Sequence, residues 1–444
     1  MLHSDPMMRS LVWFRNDLRV HDHEALDRAM AYGETIAVFV VTEIQWREHG
    51  LGDRRINGTL ATLQQLAKNL SDLNVPLRIL HCDSFSESAS AIVNLAQELN
   101  VDRIFMGLET PLDERRRDAL LEAKARQEGI TVETCQTDTV VPPGQILTGQ
   151  GTPYTVFTPF FKNWYRRFLD QPLTSRPQPQ APLSVASDDL PDASSEVAWG
   201  EGEARETLER FVYAYIGGYA ETRDIPGNDQ GTSRLSRHLT VGAISAKEAA
   251  HVALATANSE SALAEGASKW IAELAWRDFY RHLMFHFDHL SRGENMKAGW
   301  EGLAWRYEAD EFIAWCEGNT GYSLVDAGMR QLNQEGWMHN RVRMVVSMFL
   351  TKHLLHDWRI GERYFLEKLY DADFASNNGG WQWSAGVGAD AAPYFRIFNP
   401  TTQAQKFDGD SVYIRKYLGD DFSLPIVEHK FARERALAFF KANR

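Results

Sequence analysis

The first 138 residues alternate short apolar runs with stretches of helical periodicity. The runs are rich in β-branched and aromatic residues, and they predict strands at Ser10–Arg15, Thr35–Val41, Leu77–His81 and Arg103–Gly107. Helical patterns lie between them, for example at Ile56–Leu73 and Ser86–Leu99. This alternation predicts an α/β domain, residues 1–138, built on a doubly wound parallel sheet. No GxGxxG turn follows these strands, which argues against dinucleotide binding of the usual Rossmann type.

The pattern changes after the predicted sheet. Residues 139–205 predict an interdomain linker, because five prolines between positions 172 and 191 stand among Ser, Gln and Asp residues. From residue 206 to 444 the period is helical, and strand-like runs are few, so the second domain is predicted to be mostly α-helical. The predicted helices are Thr207–Ile216, Ser245–Ala255, Ala267–Phe287, Asp310–Cys316, Leu324–Glu335, Val342–His356 and Glu362–Leu369.

Composition narrows the class of protein. The chain of 444 residues is too long for one core, has no apolar run of membrane-spanning length and begins without a secretory signal pattern. Three widely separated cysteines indicate a reducing compartment, so we expect a cytoplasmic protein. The net charge of −13 argues mildly against nucleic acid, although binding needs only one basic face. Ten of the 13 tryptophans lie between Trp199 and Trp383, more than packing usually requires.

Two motifs have both a structural and a functional interpretation. In Thr232–Ser236 (TSRLS) the hydroxyls suit a helix N-cap, and the same helix start could hold a phosphate or pyrophosphate. In Trp270-x-x-Glu273-x-x-Trp276-Arg277 the spacing places the three leading residues along one side of a helix. That stripe is either core packing or a carboxyl group whose pKa is raised between apolar faces, which lets it donate a hydrogen bond.

Polar motifs follow in the C-terminal third. Gly336–Met344 (GWMHNRVRM) has two interpretations. It is either a polar helix start or a site where Asn340 forms hydrogen bonds with the polar edges of a ligand and Arg341 or Arg343 binds a phosphate or a carboxylate. Asp371-x-Asp373 lacks a third ligand, and the histidines at 282, 286 and 289 lack an HExxH motif, so we predict no metal site.

The most informative segment is Asn377–Phe407, which concentrates amides, glycines and large aromatic rings. It does not read as an ordinary core helix, and it suits a planar polar cofactor with a partner stacked nearby. The GxGxxA at Gly386–Ala391 follows no predicted strand, so it is not taken as a nucleotide fingerprint.

In this order, TSRLS, WxxExxWR, GWMHNRVRM, DxDxxxNNGGWQW and YFRIFNPTTQ resemble the DNA photolyase/cryptochrome family, in particular class I bacterial photolyases specific for cyclobutane pyrimidine dimers. The likeness runs from Leu11–Arg19 to Pro425–Lys430 and leaves out only the linker and the first residues. It implies a helical domain that holds FAD, light-driven repair of dimer-containing DNA by a monomer, and no membrane partner. The alternative is a cryptochrome-like blue-light photoreceptor without repair activity.

The resemblance implies a set of flavin contacts. Arg343 would pair with Asp371, and Asn377 would face flavin N5, where a neutral amide favours the reduced anion and differs from plant cryptochromes. The full implied set is Tyr219, Thr232, Ser233, Arg234, Leu235, Ser236, Trp270, Asn340, Arg343, Asp371, Ala372, Asp373 and Asn377.

The resemblance also implies a lesion site. Trp276 and Trp383 would form apolar walls for the extruded dimer, while Glu273 and Asn340 would bond to its pyrimidines, and Glu273 would stabilise the charge that develops there. Asn340 and Met344 stand where (6-4) photolyases carry His, which favours a cyclobutane dimer. The remaining implied DNA contacts are Arg223, Arg277, Tyr280, Arg341, Arg396 and Gln403.

Two further expectations concern light. Trp381, Trp358 and Trp305, here called the tryptophan chain, match the residues through which the family photoreduces its flavin; packed core residues are the other interpretation. An antenna pigment is implied in the first domain, at His49, Asp113 and Glu114. Methenyltetrahydrofolate is the first expectation, but Asp113 replaces Asn and Arg292 lies near an expected Lys, so a deazaflavin or an empty site are the alternatives.

Overall fold

The computed structural model describes residues 8–419, 421 and 423–443. Its first part is a five-stranded, entirely parallel sheet in the order β3-β2-β1-β4-β5. The strands are β1 Arg9–Phe14, β2 Glu34–Val41, β3 Leu77–His81, β4 Arg103–Gly107 and β5 Thr131–Cys135. The helices around them are α1 Glu24–Tyr32, α2 Glu43–Glu48, α3 Asp53–Ser71, α4 Phe85–Glu98 and α5 Leu112–Gln127.

The predicted doubly wound α/β domain is therefore confirmed. Strands β1, β2 and β4 are almost wholly buried, which is why their apolar runs were readable in the sequence. Strand β5 was not predicted, because it lies at the edge of the sheet and its sequence TVETC is mostly polar and partly exposed.

The predicted linker contains an ordered helix. Helix α6, Phe157–Phe168, buries Phe160, Trp164 and Phe168 in the core of the helical domain. The segment after α6 runs along the free side of β3, where Asp188 donates its backbone N–H to the Leu77 carbonyl at 2.9 Å. This contact covers the edge of the sheet.

The rest of the chain is helical, as predicted. It begins with α7 Glu201–Ala214, the 3₁₀ turn Ile216–Gly218, α8 Tyr219–Thr222, α9 Ser236–Thr240, α10 Ala246–Ser259, α11 Ala264–His286, α12 Asp288–Ser291, α13 Ala309–Glu317 and α14 Ser323–Glu335. It continues with α15 Asn340–Met348, the π-helix Phe349–His353, α16 Trp358–Lys368, α17 Phe374–Ala385, α18 Pro400–Phe407, α19 Val412–Leu418 and α20 His429–Ala442.

Two predictions for this domain were wrong in form. The single helix expected at Val342–His356 is divided into α15 and the π-helix, after which Leu355 adopts a positive φ of 57°. The segment that seemed unlike a core helix begins inside α17. Its glycines explain the error, because a Cβ on Gly379 would lie 2.1 Å from the Tyr280 ring of α11. Glycine lets two helices approach closely, and the composition alone did not indicate such a contact.

Within the described ranges, none of the helices has the length and hydrophobicity of a membrane span.

Candidate active site

The start of α17 presents polar side chains in fixed orientations. Asp373 is the N-cap and accepts a hydrogen bond from the Ser376 backbone N–H at 2.8 Å. Asn377 donates its Nδ2 to the Glu362 carbonyl at 3.0 Å. Because the amide nitrogen is held in this way, the Oδ1 of Asn377 is the atom left to accept a hydrogen bond from a ligand.

The expected pair between Arg343 and Asp371 is present. The Arg343 guanidinium donates to both carboxylate oxygens, at 2.9 and 3.1 Å, and Nε donates to the Met338 carbonyl at 2.8 Å. The Asp371 side chain is 2% exposed, so this pair fixes the loop before α17 from inside the protein.

Asp373 and Arg277 have partners that the sequence did not indicate. Arg281 bridges Asp373 to Asp138, and Arg277 is bonded to the same Asp138 and to the Leu239 carbonyl. Burial raises the pKa of Asp373, but Arg281 and Arg277 outweigh it and hold that pKa well below its usual range. The Arg277 side chain is 10% exposed and joins the two domains, and its expected contact with DNA stays a prediction.

The TSRLS motif also differs from expectation. Helix α9 has Leu235 at its N-cap, and among the described residues no side chain caps it; the hydroxyl of Ser233 instead accepts from the Leu235 N–H at 3.3 Å. The N-cap interpretation is therefore wrong. Arg234 has a positive φ of 56° and lies over the Trp337 ring, 3.4 Å from its centroid. Arg234 stands between Thr232 and Ser236 in the sequence, and the binding of an anion by this motif stays a prediction.

Four charged residues form a row on one half-exposed face. Arg223 donates to Glu273 at 2.6 Å and approaches Asp224 at 4.0 Å, while Arg341 pairs with Asp224 at 2.9 Å. We call Glu273, Arg223, Asp224 and Arg341 the charge row. Burial raises the pKa of Glu273, which agrees with the second of the two interpretations of its motif, and Arg223 opposes that shift. Asp224 was missed, because one acidic residue outside a motif gives no signal in the sequence.

Residues next to the charge row are open to a ligand. Asn340 is exposed at the first position of α15, and Met344 is half-buried one turn later. The ring of His339 accepts from the Arg341 N–H at 3.1 Å through Nδ1. Its Nε2 is buried and has no hydrogen-bond partner in the described part of the chain.

The aromatic residues separate into core and surface groups. Trp270 is 3% exposed and packs on Phe211, with ring centroids 5.2 Å apart. Trp276 is half-buried, near Tyr280 at 5.7 Å, and stacks on Phe157. Trp383 is half-buried in α17, and within the described ranges its ring makes no aromatic contact.

The tryptophan chain consists of two buried residues and one half-buried residue. Trp381 and Trp358 are 2% and 0% exposed, whereas Trp305 is half-buried against Phe439. In the described structure no two of these three indoles are in ring contact, and the rings next to Trp381 are Phe365 at 5.1 Å and Trp315 at 6.0 Å. The role of the three residues in electron transfer stays a prediction.

A cavity of about 400 Å³ lies between the carboxyl ends of the strands and the helical domain. The three expected antenna residues, His49, Asp113 and Glu114, all line it, together with Ala372 and Asp373 before α17. Burial raises the pKa of Glu114 to about 7, and the neighbouring Glu109 adds to the shift. The position agrees with the rule that open α/β sheets bind ligands at the carboxyl ends of their strands.

Other predicted positions lie apart from this cavity. Arg292 is exposed and pairs with Glu294 at 2.8 Å, whereas its neighbours Ser291 and Gly293 line the cavity. Arg396 is exposed and Gln403 is half-buried in α18. His282 bonds to the Val141 carbonyl at 3.0 Å, and no group of three metal-ligating side chains occurs among the described residues.

Two family profiles match the chain. "DNA photolyase" matches residues 10–182, and "FAD binding domain of DNA photolyase" matches residues 270–420. Proteins named deoxyribodipyrimidine photo-lyase from Vibrio cholerae and Escherichia coli are each 37% identical, over 97% and 99% of this chain and 99% of their own lengths. The chain belongs to the DNA photolyase family.

Solved structures agree with this membership. A class III photolyase from Agrobacterium tumefaciens is 33% identical, with a TM-score of 0.87 over 100% of this chain and 99% of that one. A cryptochrome from Synechocystis is 25% identical, with a TM-score of 0.85 over 99% of this chain and 100% of its own.

The polar groups around α15 and α17 fit the FAD that this family binds. The buried Nε2 of His339 needs a partner, and it lies among the charges of Arg234, Arg341 and Arg343. A phosphate group of the cofactor would accept a hydrogen bond from this buried nitrogen, and it would add to the carboxylates of Asp224 and Asp371 that already pair with Arg341 and Arg343.

Proposed function

We propose that this chain is a deoxyribodipyrimidine photo-lyase that repairs cyclobutane pyrimidine dimers in DNA under light. The observation that carries the proposal is the orientation of Asn377, whose amide nitrogen is held by the Glu362 carbonyl and whose oxygen is left for a flavin N–H. The relatives named deoxyribodipyrimidine photo-lyase, similar over nearly their whole length, support the same activity.

FAD would lie between α9, α15 and the start of α17. Thr232–Ser236 with Arg234 would hold the pyrophosphate, and Arg343 would keep Asp371 in place beside the flavin. Tyr219, Trp270 and Ala372, all buried, would complete the walls. When bound and reduced, FAD would supply one electron on illumination and recover it after the two cyclobutane C–C bonds have opened.

The lesion would be held by the half-exposed face next to the flavin. Trp276 and Trp383 would stack on the pyrimidines, while Asn340 and Glu273 would bond to their polar edges. With its raised pKa, Glu273 would donate a hydrogen bond to the oxygen on which negative charge develops. Arg223, Arg341, Arg396 and Gln403 would meet the DNA backbone, and Arg223 and Arg341 would exchange their carboxylate partners for phosphates.

An antenna pigment would occupy the cavity between the domains. We assign His49, Asp113 and Glu114 to it, with methenyltetrahydrofolate as the expected pigment. The protein would act as a monomer in the cytoplasm and associate with the nucleoid when bound to DNA.

The test is light-dependent repair. The reduced holoprotein is mixed with an oligonucleotide that contains a thymine dimer, and recovery of thymine absorbance is followed under blue light and in darkness. Recovery in light alone is expected. No recovery in light would refute the repair function and leave the cryptochrome-like photoreceptor, which Asn377, Asn340 and Met344 disfavour and which the comparisons do not favour over repair.

A Trp381→Phe variant tests the tryptophan chain separately. Photoreduction of its oxidised flavin should slow strongly, because Phe is a far poorer electron donor than Trp. Repair by chemically reduced variant should equal that of the wild type. Equal loss of both activities would show that Trp381 supports the site structurally and is no part of an electron path.

A further inference from the structure

Trp276 is held by a stacked ring from the interdomain segment. The Phe157 ring lies parallel to the Trp276 indole, with centroids 3.7 Å apart and planes 6° apart. Phe279 meets the same indole edge-on at 5.6 Å. One face and one edge of the indole are thus covered by protein, and the ring is still half-buried rather than enclosed. A stack of this kind fixes the plane in which Trp276 can meet a ligand.

Phe157 is itself anchored from a distant part of the chain. It is the first residue of α6, and its N-cap, Val156, has no side-chain acceptor to offer. The carboxylate of Asp390 takes that role by accepting the Phe157 N–H at 3.2 Å, and Asp390 returns its own N–H to the Thr155 carbonyl at 3.1 Å. A carboxylate at the start of a 12-residue helix is also favoured by the helix dipole.

Asp390 is positioned by the end of α17. Gly386 ends that helix with a φ of 85°, and a Cβ on Gly388 would lie 2.9 Å from the Gln382 backbone, so the chain can follow this path only with glycine. Asp390 then takes a left-handed conformation, with a φ of 45°. Helix α17 carries Trp383, so the contact between Asp390 and Phe157 connects the Trp383 helix with the ring that supports Trp276.

We propose that Phe157 and Asp390 form a clamp that sets the spacing and angle between Trp276 and Trp383, and so makes the site selective for the bent, fused pyrimidines of a dimer. Phe157 and Asp390 are positioning residues that act through Trp276. The inference rests on the proposed repair function. It also gives a role to the GxGxxA segment, which serves to carry Asp390 to α6.

The experiment compares DNA binding by Phe157→Leu, Phe157→Tyr and Asp390→Asn with that of the wild type, all as reduced holoproteins in the dark. Each is titrated with a thymine-dimer oligonucleotide and with the same oligonucleotide without the lesion. Phe157→Leu should weaken dimer binding about three- to tenfold, the worth of one aromatic pair, and leave undamaged DNA within about twofold. Phe157→Tyr should restore the wild-type affinity, and Asp390→Asn should have a smaller effect of the same kind.

Tyr165→Leu is the matched control, because Tyr165 is another half-buried aromatic residue of α6 and contacts Phe161 and Phe168 rather than Trp276. It should bind both oligonucleotides like the wild type. Flavin content and photoreduction rate are measured for every variant, and both should be unchanged. An equal loss of affinity for both oligonucleotides in the Phe157→Leu variant, or no loss of affinity for either, would refute the proposed clamp. Failure of the wild type itself to prefer or repair the dimer would instead refute the proposed function.

Discussion

Arg281, Asp138 and Asp373 meet between the two domains, in a region here called the crevice, and the charge row lies on the half-exposed face. Both regions contain charged pairs of the same kinds, but they differ in burial. In the crevice, Arg281 is 7% exposed and is bonded to two carboxylates, those of Asp138 and Asp373. On the half-exposed face, the side chains of Arg223 and Glu273 are 25% and 31% exposed, and their main ion pair is with each other. A buried pair must find its partners inside the protein, whereas a half-exposed pair can exchange one partner for a phosphate or a pyrimidine.

The largest effect should come from breaking the crevice. Arg281→Met leaves Asp373 buried without its bridging cation and should lower the free energy of unfolding by about 3–5 kcal/mol. Urea denaturation followed by circular dichroism measures it. Arg396→Met, an exposed control, should stay within about 0.5 kcal/mol of the wild type. Similar small losses in both variants would contradict the difference drawn between the two regions.

The pH dependence of stability tests a second buried carboxyl group, that of Glu362, which lines the cavity between the domains. Burial raises the pKa of Glu362 from 4.5 to about 7, and Asn378 donates to its carboxyl at 2.9 Å. Between pH 4.5 and about 7 the native state therefore holds a proton that the unfolded chain has lost. The stabilisation that this carboxyl group contributes is fully present below pH 4.5 and is lost as the pH rises through about 7.

Glu362→Gln should be more stable than the wild type at pH 8 by about 3 kcal/mol and nearly equal to it at pH 4, because Gln resembles the protonated acid. The free energies of unfolding at the two pH values give the comparison. A difference that does not change with pH would refute the assignment to Glu362.

On the half-exposed face, substitutions should change the repair activity more than they change the free energy of unfolding. Glu273→Ala should reduce repair by about ten- to a hundredfold, the worth of a hydrogen bond to a charged group, and change the free energy of unfolding by less than about 1 kcal/mol. Glu273→Gln, a neutral donor, should recover much of the activity in the same light-dependent assay. Poor recovery with Gln would mean that the ionised form of Glu273 is the one required.

The smallest effect is expected for Arg396. Arg396→Ala should weaken binding to damaged and undamaged DNA alike and reduce the slope of log affinity against log salt by about one. Titrations at several salt concentrations measure that slope. A slope equal to the wild type would place Arg396 outside the DNA contact.

Buried periodic elements were readable from the sequence. The strand predicted at Thr35–Val41 begins one residue late, and the helix predicted at Ala267–Phe287 is α11, Ala264–His286. Both bury long apolar stretches, so their pattern is set by the core. Strand β5 and the start of α17 gave no such pattern, since one is a polar edge strand and the other depends on glycines packed against α11.

The partners of charged side chains could not be predicted from the sequence pattern. Arg277 and Arg223 both stand in or beside recognisable motifs, yet only Arg223 lies on the open face. Arg277 bonds to Asp138, which is 139 residues away in the sequence. No local pattern connects two positions so far apart.

The sequence by itself determined the α/β and helical domains, the family, and the residue types available for the flavin and lesion sites, because burial and motif order are local properties of the chain. Only the tertiary structure decided which charges are neutralised in the crevice and which stay half-exposed in the charge row. It also decided that Phe157 stacks on Trp276 and donates its backbone N–H to Asp390. These contacts join segments that are far apart in the sequence, so their energies depend on a geometry that no single segment contains.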